Sequence, residues 1–523
     1  MENPKYGEAE RNFKKEGCKM KLATPDMISK IDNYASEVLG ISKAELMGRS
    51  GAALCDAISE KYPNARKIVI LSGKGNNGGD GYALATLLES REVTVCDVFS
   101  AGQRTEEGIF WLDKAKALSV NIICGLCEEL YEQIKASELI VDAIFGTGFT
   151  GVPGPELLPL IVAVNSSSAI KVAVDVPLGV NACDGSVCEA NIPADLTVSL
   201  SYPKPGLLSY PARGIVGELV HSDIGLPKEK IEEAFEFNYY SLDSETSRDI
   251  FPNRKINENK GSFGKTTLIV GSEKYRGAAH LAVEAALRSG AGIVRLVATE
   301  ELCREIRQKF PEVIYFSAEI SERNKILDFC RDSASVLVGC GSSVSRELFM
   351  LTDLLLESYE GRVILDADAL KSISEFSSSE VLKKAKNTVV ITPHPLELSR
   401  LSGASVAEIE ASRLSFAKNF AKKYSCTLLL KGAATVITDG ATVYINDIAT
   451  TALSKGGSGD VLSGSVASML AFSPLPINAA ALAAFAHATA GKNLEYRLSS
   501  LGVTPSDLPI EMAKIFGQIE KST

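Results

Sequence analysis

Short runs of β-branched and other apolar residues alternate with longer amphipathic stretches along most of the chain. That alternation predicts an α/β protein with largely parallel sheets. In the first half, Lys67–Leu71, Val93–Val98, Leu139–Ile144, Lys171–Val174 and Leu196–Leu200 have the length and near-continuous apolar content of strands buried on both faces. Thr105–Leu118 and Cys127–Ala136 carry helical spacing between them. The pattern stops around Ile224, Leu226 and Pro227, and a charged, weakly periodic stretch runs to about Asp249. A second series follows: Thr266–Val270, Gly292–Val297, Val336–Val338, Val363–Leu365, Val389–Ile391 and Leu428–Leu430. Two α/β domains joined near residues 227–250 are the simplest reading, with residues 1–19 as an extension ahead of the first helical pattern.

Composition narrows this picture. A chain of 523 residues is too long for one ordinary core, and 45% apolar with 23% charged residues is a globular mix. The 65 acidic against 55 basic residues leave a net charge of −10, which excludes a general nucleic-acid binder. An anionic ligand must therefore be held by local dipoles and a few lysines. The 11 cysteines are odd in number and scattered, unlike a secreted disulfide framework. Cys124 and Cys127 form a CxxC, but a zinc site wants four ligands and the chain has only four histidines, so incidental thiols are the better account. The N-terminus lacks the apolar core of a signal peptide, and the longest apolar stretch, Ala479–Ala486, is too short to span a bilayer. The expectation is a cytoplasmic protein with neither membrane nor nucleic acid as a partner.

Two glycine clusters carry candidate chemistry. GKGNNGGDG (Gly73–Gly81) follows a strand and opens a helix. Backbone amides bared there, with no Cβ in the way, form a site for phosphate or another anion. Gly73, Gly75 and Gly78 also satisfy the dinucleotide fingerprint, with Asp97 at the next strand end as a candidate ribose partner. Asn76, Asn77 and Asp80 add side-chain oxygens that the generic fingerprint does not require. A tight strand–helix turn without a ligand is the competing account.

In the second half, Gly456, Gly457, Ser458, Gly459 and Asp460 stand immediately before an apolar helix. Unpaired amides there would stabilise a phosphoryl group in transfer, with Asp460 placed to deprotonate an attacking hydroxyl. A helix-capping aspartate is the competing account. This is the glycine–aspartate arrangement of ribokinase-like folds. Lys431, Gly432, Ala433, Ala434 and Thr435 follow a strand and offer amides, a charge and a hydroxyl to a nucleotide's phosphates. His394 is held between two prolines, and Asp366 and Asp368 sit at a strand end. Gly264, Lys265 and Thr266 mimic the end of a phosphate-binding loop, but the upstream glycine is replaced by Asn259.

In order along the chain, GKGNNGGDG, VDAIFGTGFTG (141–151), VDVPLGVNACDG (174–185) and ADLTVSLSYPKPG (194–206) resemble NAD(P)H-hydrate epimerase domains, over residues 20–240. The resemblance implies a Rossmann-like three-layer α/β domain. In it, Asn76, Asn77, Gly78, Gly79 and Asp80 cradle the hydrated dinucleotide together with Gly146, Thr147, Gly148, Phe149, Thr150, Gly151 and Val152. It further implies potassium on Asn77 and Asp142, and Asp175 as the acid/base that contacts the substrate and epimerises C6. Where the family usually has serine after Val-Pro, this chain has Leu178, which offers potassium only its backbone carbonyl. Read without these motifs, Asp142 and Asp175 are ordinary strand-end carboxylates.

KGSFGKTTLIVGS, YRGAAHLAVEAALRSGAGIV, VGCGSS, LDADAL, TPHPLELSRL, KGAAT and ALSKGGSGDVLSG resemble ADP-dependent NAD(P)H-hydrate dehydratases, ribokinase-like domains, over residues 241–523. The resemblance implies that Ala278, Gly341, His394 and Asp460 contact the hydrate, and that Lys431–Thr435 and Gly459 hold the nucleotide. Leu396 and Lys371 depart from the family's usual glycine and asparagine. Together the resemblances imply repair of hydrated NADH and NADPH (NADHX and NADPHX), with ADP as co-substrate, magnesium beside it, potassium in the first domain and a homo-oligomeric state. The alternative is a ribokinase-like kinase for a small alcohol, fused to a non-catalytic dinucleotide-binding module.

Overall fold

A computed structural model describes residues 20–99, 104–386 and 388–522. The extension expected over residues 1–19 lies outside them. The described residues form two sheets.

The first is a seven-stranded sheet whose strands are all parallel: Asn121–Cys124, Glu92–Asp97, Lys67–Ser72, Leu139–Ala143, Ile170–Val174, Leu196–Leu200 and Glu218–Ser222, in that spatial order. Leu139–Ala143 is buried throughout, as a strand covered by helices on both faces must be. From Lys67–Ser72 the chain winds outward one way, and from Leu139–Ala143 the other. The crevice at the carboxyl ends of these two neighbours is therefore where an open α/β sheet binds its ligand. This is a doubly wound, Rossmann-like domain.

The second sheet has eleven strands. Seven of them, Thr427–Leu430, Val389–Ile391, Arg362–Leu365, Ser335–Val338, Lys265–Ile269, Ile293–Ala298 and Ile314–Ser317, run parallel. Thr435–Thr438 and Val443–Asn446 extend it as an antiparallel hairpin. Here the winding reverses between Lys265–Ile269 and Ser335–Val338. Both strand series expected from sequence are present, with ends shifted by a residue or so.

The stretch joining the two series is built into the second sheet. Its strand Tyr239–Ser241 pairs with Val443–Asn446 on one side and with Lys21–Leu22 on the other. Tyr240 and Tyr444 stack against each other, their ring centroids 5.4 Å apart. Lys21 and Leu22, read from sequence as the head of the first domain, thus edge the sheet of the second. Leu22 and Leu208 are buried in an apolar cluster formed mainly by residues beyond 260, so the halves share core. Among the described residues no helix is long and apolar enough to cross a membrane.

Candidate functional sites

The cleft of the first domain is built on the glycine turn. Gly73 ends the strand Lys67–Ser72, and the helix Asn76–Ala85 starts from Gly75. A Cβ on Gly73 would fall 1.9 Å from the Ile144 carbonyl oxygen, and one on Gly78 would fall 1.9 Å from that of Gly73. Bare backbone is what lets turn, helix and neighbouring strand end close up. The resulting cleft has a volume of about 690 Å3. Asn76, Asn77, Asp80, Gly146, Thr147, Gly148, Phe149, Thr150 and Asp175 all line it. Gly78 and Gly79 are buried behind it, the latter against Met47, and Gly151 and Val152 are not part of its lining. Asn77 Nδ2 donates to the Phe145 carbonyl at 2.8 Å, joining the turn to the loop whose Phe145 and Phe149 rings stack 4.6 Å apart.

Asp175 ends the strand Ile170–Val174 at φ 64°, a left-handed conformation uncommon outside glycine. Its N–H donates to Val198 O at 2.9 Å, and its Oδ1 accepts from the Leu200 N–H at 2.9 Å. The Lys204 ammonium, 1% exposed, donates to the same Oδ1 and also to Leu200 O at 2.7 Å. Sequence reasoning missed Lys204, although it lies within the motif 194–206, and also Asp32, which enters the cleft from the helix Pro25–Glu37. Burial, opposed by Lys204, pushes the Asp32 carboxyl up to about 6. Burial and the charges of Asp175 and Asp32 hold Asp80 well above the carboxylate range.

Asp142 lies under the cleft. Its Oδ1 accepts from the Ile144 N–H at 3.2 Å and its Oδ2 from the Leu178 N–H at 2.7 Å, so one carboxylate ties two loops together. Burial pushes it up to about 6 against those bonds. The Leu178 carbonyl accepts from Ile192 N at 3.1 Å. The ribose role expected for Asp97 fails: the side chain is buried, pairs with Arg104 and lies outside the cleft lining.

In the second domain, Gly457 takes φ 104° and opens the helix Ser458–Leu470, whose first turn carries Gly459 and Asp460. A Cβ on Gly459 would sit 3.5 Å from Lys431 Nζ, so the two segments expected to hold a nucleotide meet here. Lys431 Nζ donates to Asp366 Oδ1 at 2.9 Å and lies 3.9 Å from Glu397 Oε2. Burial opposes its charge, but Asp366 and Glu397 outweigh burial and hold the ammonium above its usual range. Asp366 Oδ2 accepts from Ser463 Oγ at 2.7 Å. Burial, reinforced by the Asp366 charge, pushes Asp460 up to about 6 against a hydrogen bond with Cys340.

Ala278 and Gly341 meet at the winding reversal, where a Cβ on Gly341 would lie 2.6 Å from Ala278 Cβ. His394 caps the helix Pro395–Ser402: its Nδ1 accepts from the Glu397 N–H at 3.3 Å while Glu397 Oε2 accepts from the His394 N–H at 3.0 Å. Burial lowers the imidazole's pKa. Arg413, 2% exposed, was not legible in sequence, yet it donates to Lys431 O at 3.0 Å and occupies the space a side chain on Gly432 would need. Asp368 accepts from the Ser343 N–H at 3.0 Å.

The molecule is a two-domain α/β enzyme in which a glycine turn opens one helix in each domain and an aspartate, Asp80 or Asp460, stands near that helix's start. Residues 43–206 match the family model described as the YjeF-related protein N-terminus, and residues 266–513 match that of NAD(P)H-hydrate dehydratase. The bifunctional NAD(P)H-hydrate repair enzyme Nnr of Escherichia coli is 32% identical over 490 residues, covering 92% of this chain and 91% of its own. Its namesake from Dictyoglomus turgidum is 31% identical, covering 94% and 97%. A solved ADP/ATP-dependent NAD(P)H-hydrate dehydratase from Bacillus subtilis, co-crystallised with ATP/Mg2+, is 27% identical with a TM-score of 0.49, covering 53% of this chain and 98% of its own. The chain belongs to the family of bifunctional NAD(P)H-hydrate repair enzymes.

Proposed function

We propose that this protein restores NADH and NADPH whose reduced nicotinamide ring has taken up water across its 5,6 double bond. The first domain interconverts the R and S configurations at C6, and the second removes water from the S form at the expense of ADP, releasing AMP and phosphate. What supports this most directly is one chain, matched nearly end to end by repair enzymes, that sets an aspartate beside a glycine-built turn in each domain.

In the second domain, Asp460 takes the proton of the C6 hydroxyl as its oxygen attacks the terminal phosphorus of ADP. Amides at the start of the helix Ser458–Leu470 face the charge gathering on the phosphoryl oxygens. Hydroxide leaves poorly and phosphate well, so once the ester forms, the ring-nitrogen lone pair drives it out and loss of the C5 proton restores the double bond. Lys431–Thr435 and Gly459 hold the nucleotide, with Ala278, Gly341 and His394 against the hydrate. Magnesium would come in on the nucleotide's phosphates, because among the described residues no three His, Cys, Asp or Glu side chains are grouped to hold a metal.

For potassium, the donors fit. Asp142 is 2% exposed and burial keeps its charge costly, while the Asn77 amide oxygen, from the first turn of the helix Asn76–Ala85, and the Leu178 carbonyl, from a loop, are hard oxygen donors. Those three residues would hold the ion, which would offset the Asp142 charge. Potassium chloride should therefore raise the thermal midpoint of the wild type above that in lithium chloride, and Asp142→Ala should lose the difference.

The assay of the whole reading uses pure S hydrate with ADP. Reduced nicotinamide, AMP and free phosphate are the expected products, whereas a stable phosphate ester would mark a kinase instead. Asp175→Ala should abolish R/S exchange and leave dehydration of pure S hydrate intact. Exchange at the wild-type rate in that variant would remove Asp175 from its role.

A further inference from the structure

Three carboxylates, Asp32, Asp80 and Asp175, line the first-domain cleft together with one buried lysine, Lys204. They arrive from separate elements: the helix Pro25–Glu37, the helix Asn76–Ala85, the end of the strand Ile170–Val174, and the segment ahead of Pro205. The charges of Asp175 and Asp32 both bear on Asp80, and those of Lys204 and Asp175 both bear on Asp32. Fully ionised, the group would hold three negative charges against one positive within one half-buried cleft, which their mutual repulsion makes costly. Such a group keeps a proton. The Lys204 ammonium and the Leu200 N–H both hold Asp175 Oδ1, orienting that carboxylate. Around Asp80 stand the Asp175, Asp32 and Lys204 charges and the Ser50 hydroxyl from the helix Lys43–Lys61, with Lys43 acting on Asp32.

Resting on the epimerase reading of this cleft, we propose that Asp80 is the proton donor of the exchange, Asp175 the acceptor, Asp32 the relay that resets them, and Lys204 the residue that positions Asp175. Asp80 gives its carboxyl proton to the C6 hydroxyl. The C6–O bond breaks, its electron pair leaving with water, while the ring-nitrogen lone pair closes an N1=C6 double bond. Water then adds to C6 from the opposite face and gives up a proton to Asp175, and the N1=C6 pair returns to nitrogen. The proton passes from Asp175 through Asp32 to Asp80, so atoms and charge balance over the cycle. Epimerisation needs both an acid and a base within reach of one carbon, and Asp80 and Asp175 line the same cleft.

The test measures R-to-S exchange of NADH hydrate by chiral separation in the full-length protein, with dehydration of pure S hydrate by the second domain as the internal control. Asp80→Asn should slow exchange about a hundredfold or more. Lys204→Met should lower the turnover of exchange with little change in KM, and Lys204→Arg should recover part of it. In the wild type, exchange should fall as pH rises and Asp80 loses its proton. Asp32→Asn should slow exchange by removing the relay, and because it also removes a negative neighbour of Asp80, the fall should begin at lower pH. If Asp80→Asn exchanges at the wild-type rate while Asp175→Ala does not, the donor assignment is overturned and the epimerase reading stands. If both exchange normally, the reading itself is overturned. Should Asp80→Asn not fold, a wild-type rate that stays flat into alkaline pH, or an Asp32→Asn profile superimposable on it, overturns the proposal.

Discussion

The role proposed for Asp460 asks for a base near neutral pH, and its surroundings decide where it becomes one. Burial and the Asp366 charge hold its carboxyl up to about 6, with Lys431 restraining the rise. A raised carboxyl keeps its proton as pH falls through that value, so dehydration should be level above neutrality and decline below about pH 6. Asp460→Asn should lower hydrate-dependent ADP consumption by about a hundredfold or more while ADP affinity, read by calorimetry, changes only a few-fold. Residues of this kind were legible because they stand beside glycine clusters that need an explanation of their own. Arg413 and Asp32 were not: each sits among other charged residues of a helix, where a solvated face accounts for it equally well. Only folding shows Arg413 carrying the backbone under Lys431.

The elements tell a similar story about contrast. Strands buried on both faces, such as Leu139–Ala143 and Val389–Ile391, show as apolar runs and were placed almost to the residue. Glu218–Ser222 and Ile314–Ser317 lie at sheet edges, half covered; the first is too mixed in composition to show as a run, while the second sits in an apolar run, Val313–Phe316, that the expected series does not include. Tyr239–Ser241 is three residues long, too short for any period. The glycine turn was legible as chemistry, yet its glycines divide by task. Gly78→Ala would drive a Cβ to 1.9 Å from the Gly73 carbonyl oxygen, whereas nothing lies within 4 Å of one on Gly75. Gly78→Ala should therefore cost about 1–3 kcal/mol in urea denaturation and lose R/S exchange. Gly75→Ala should unfold close to the wild-type midpoint.

At the scale of the whole molecule, the halves are not beads on a string. Lys418 Nζ of the second domain donates to the Tyr239 hydroxyl at 2.9 Å, and Ser415 Oγ to Asp184 Oδ2 at 3.4 Å. A fragment beginning at residue 251 would strip Tyr239–Ser241 from Val443–Asn446, whose side chains are buried, and bare that strand as a sheet edge. It should self-associate in sedimentation, while a fragment beginning at residue 236 should do so less. Sequence could not show this, because the joining strand is hidden in a charged stretch and its partner lies some two hundred residues on.

If both activities reside in this one chain, a single trace will show them together. An equilibrium mixture of R and S NADH hydrates is given ADP, magnesium and potassium, and the return of dihydronicotinamide absorbance is followed to its end. Complete recovery is predicted, since the first domain keeps converting R to S as the second consumes S. A trace that halts once the S form is spent would contradict the account by leaving the first domain without its activity, and a trace that never rises would contradict it for the second.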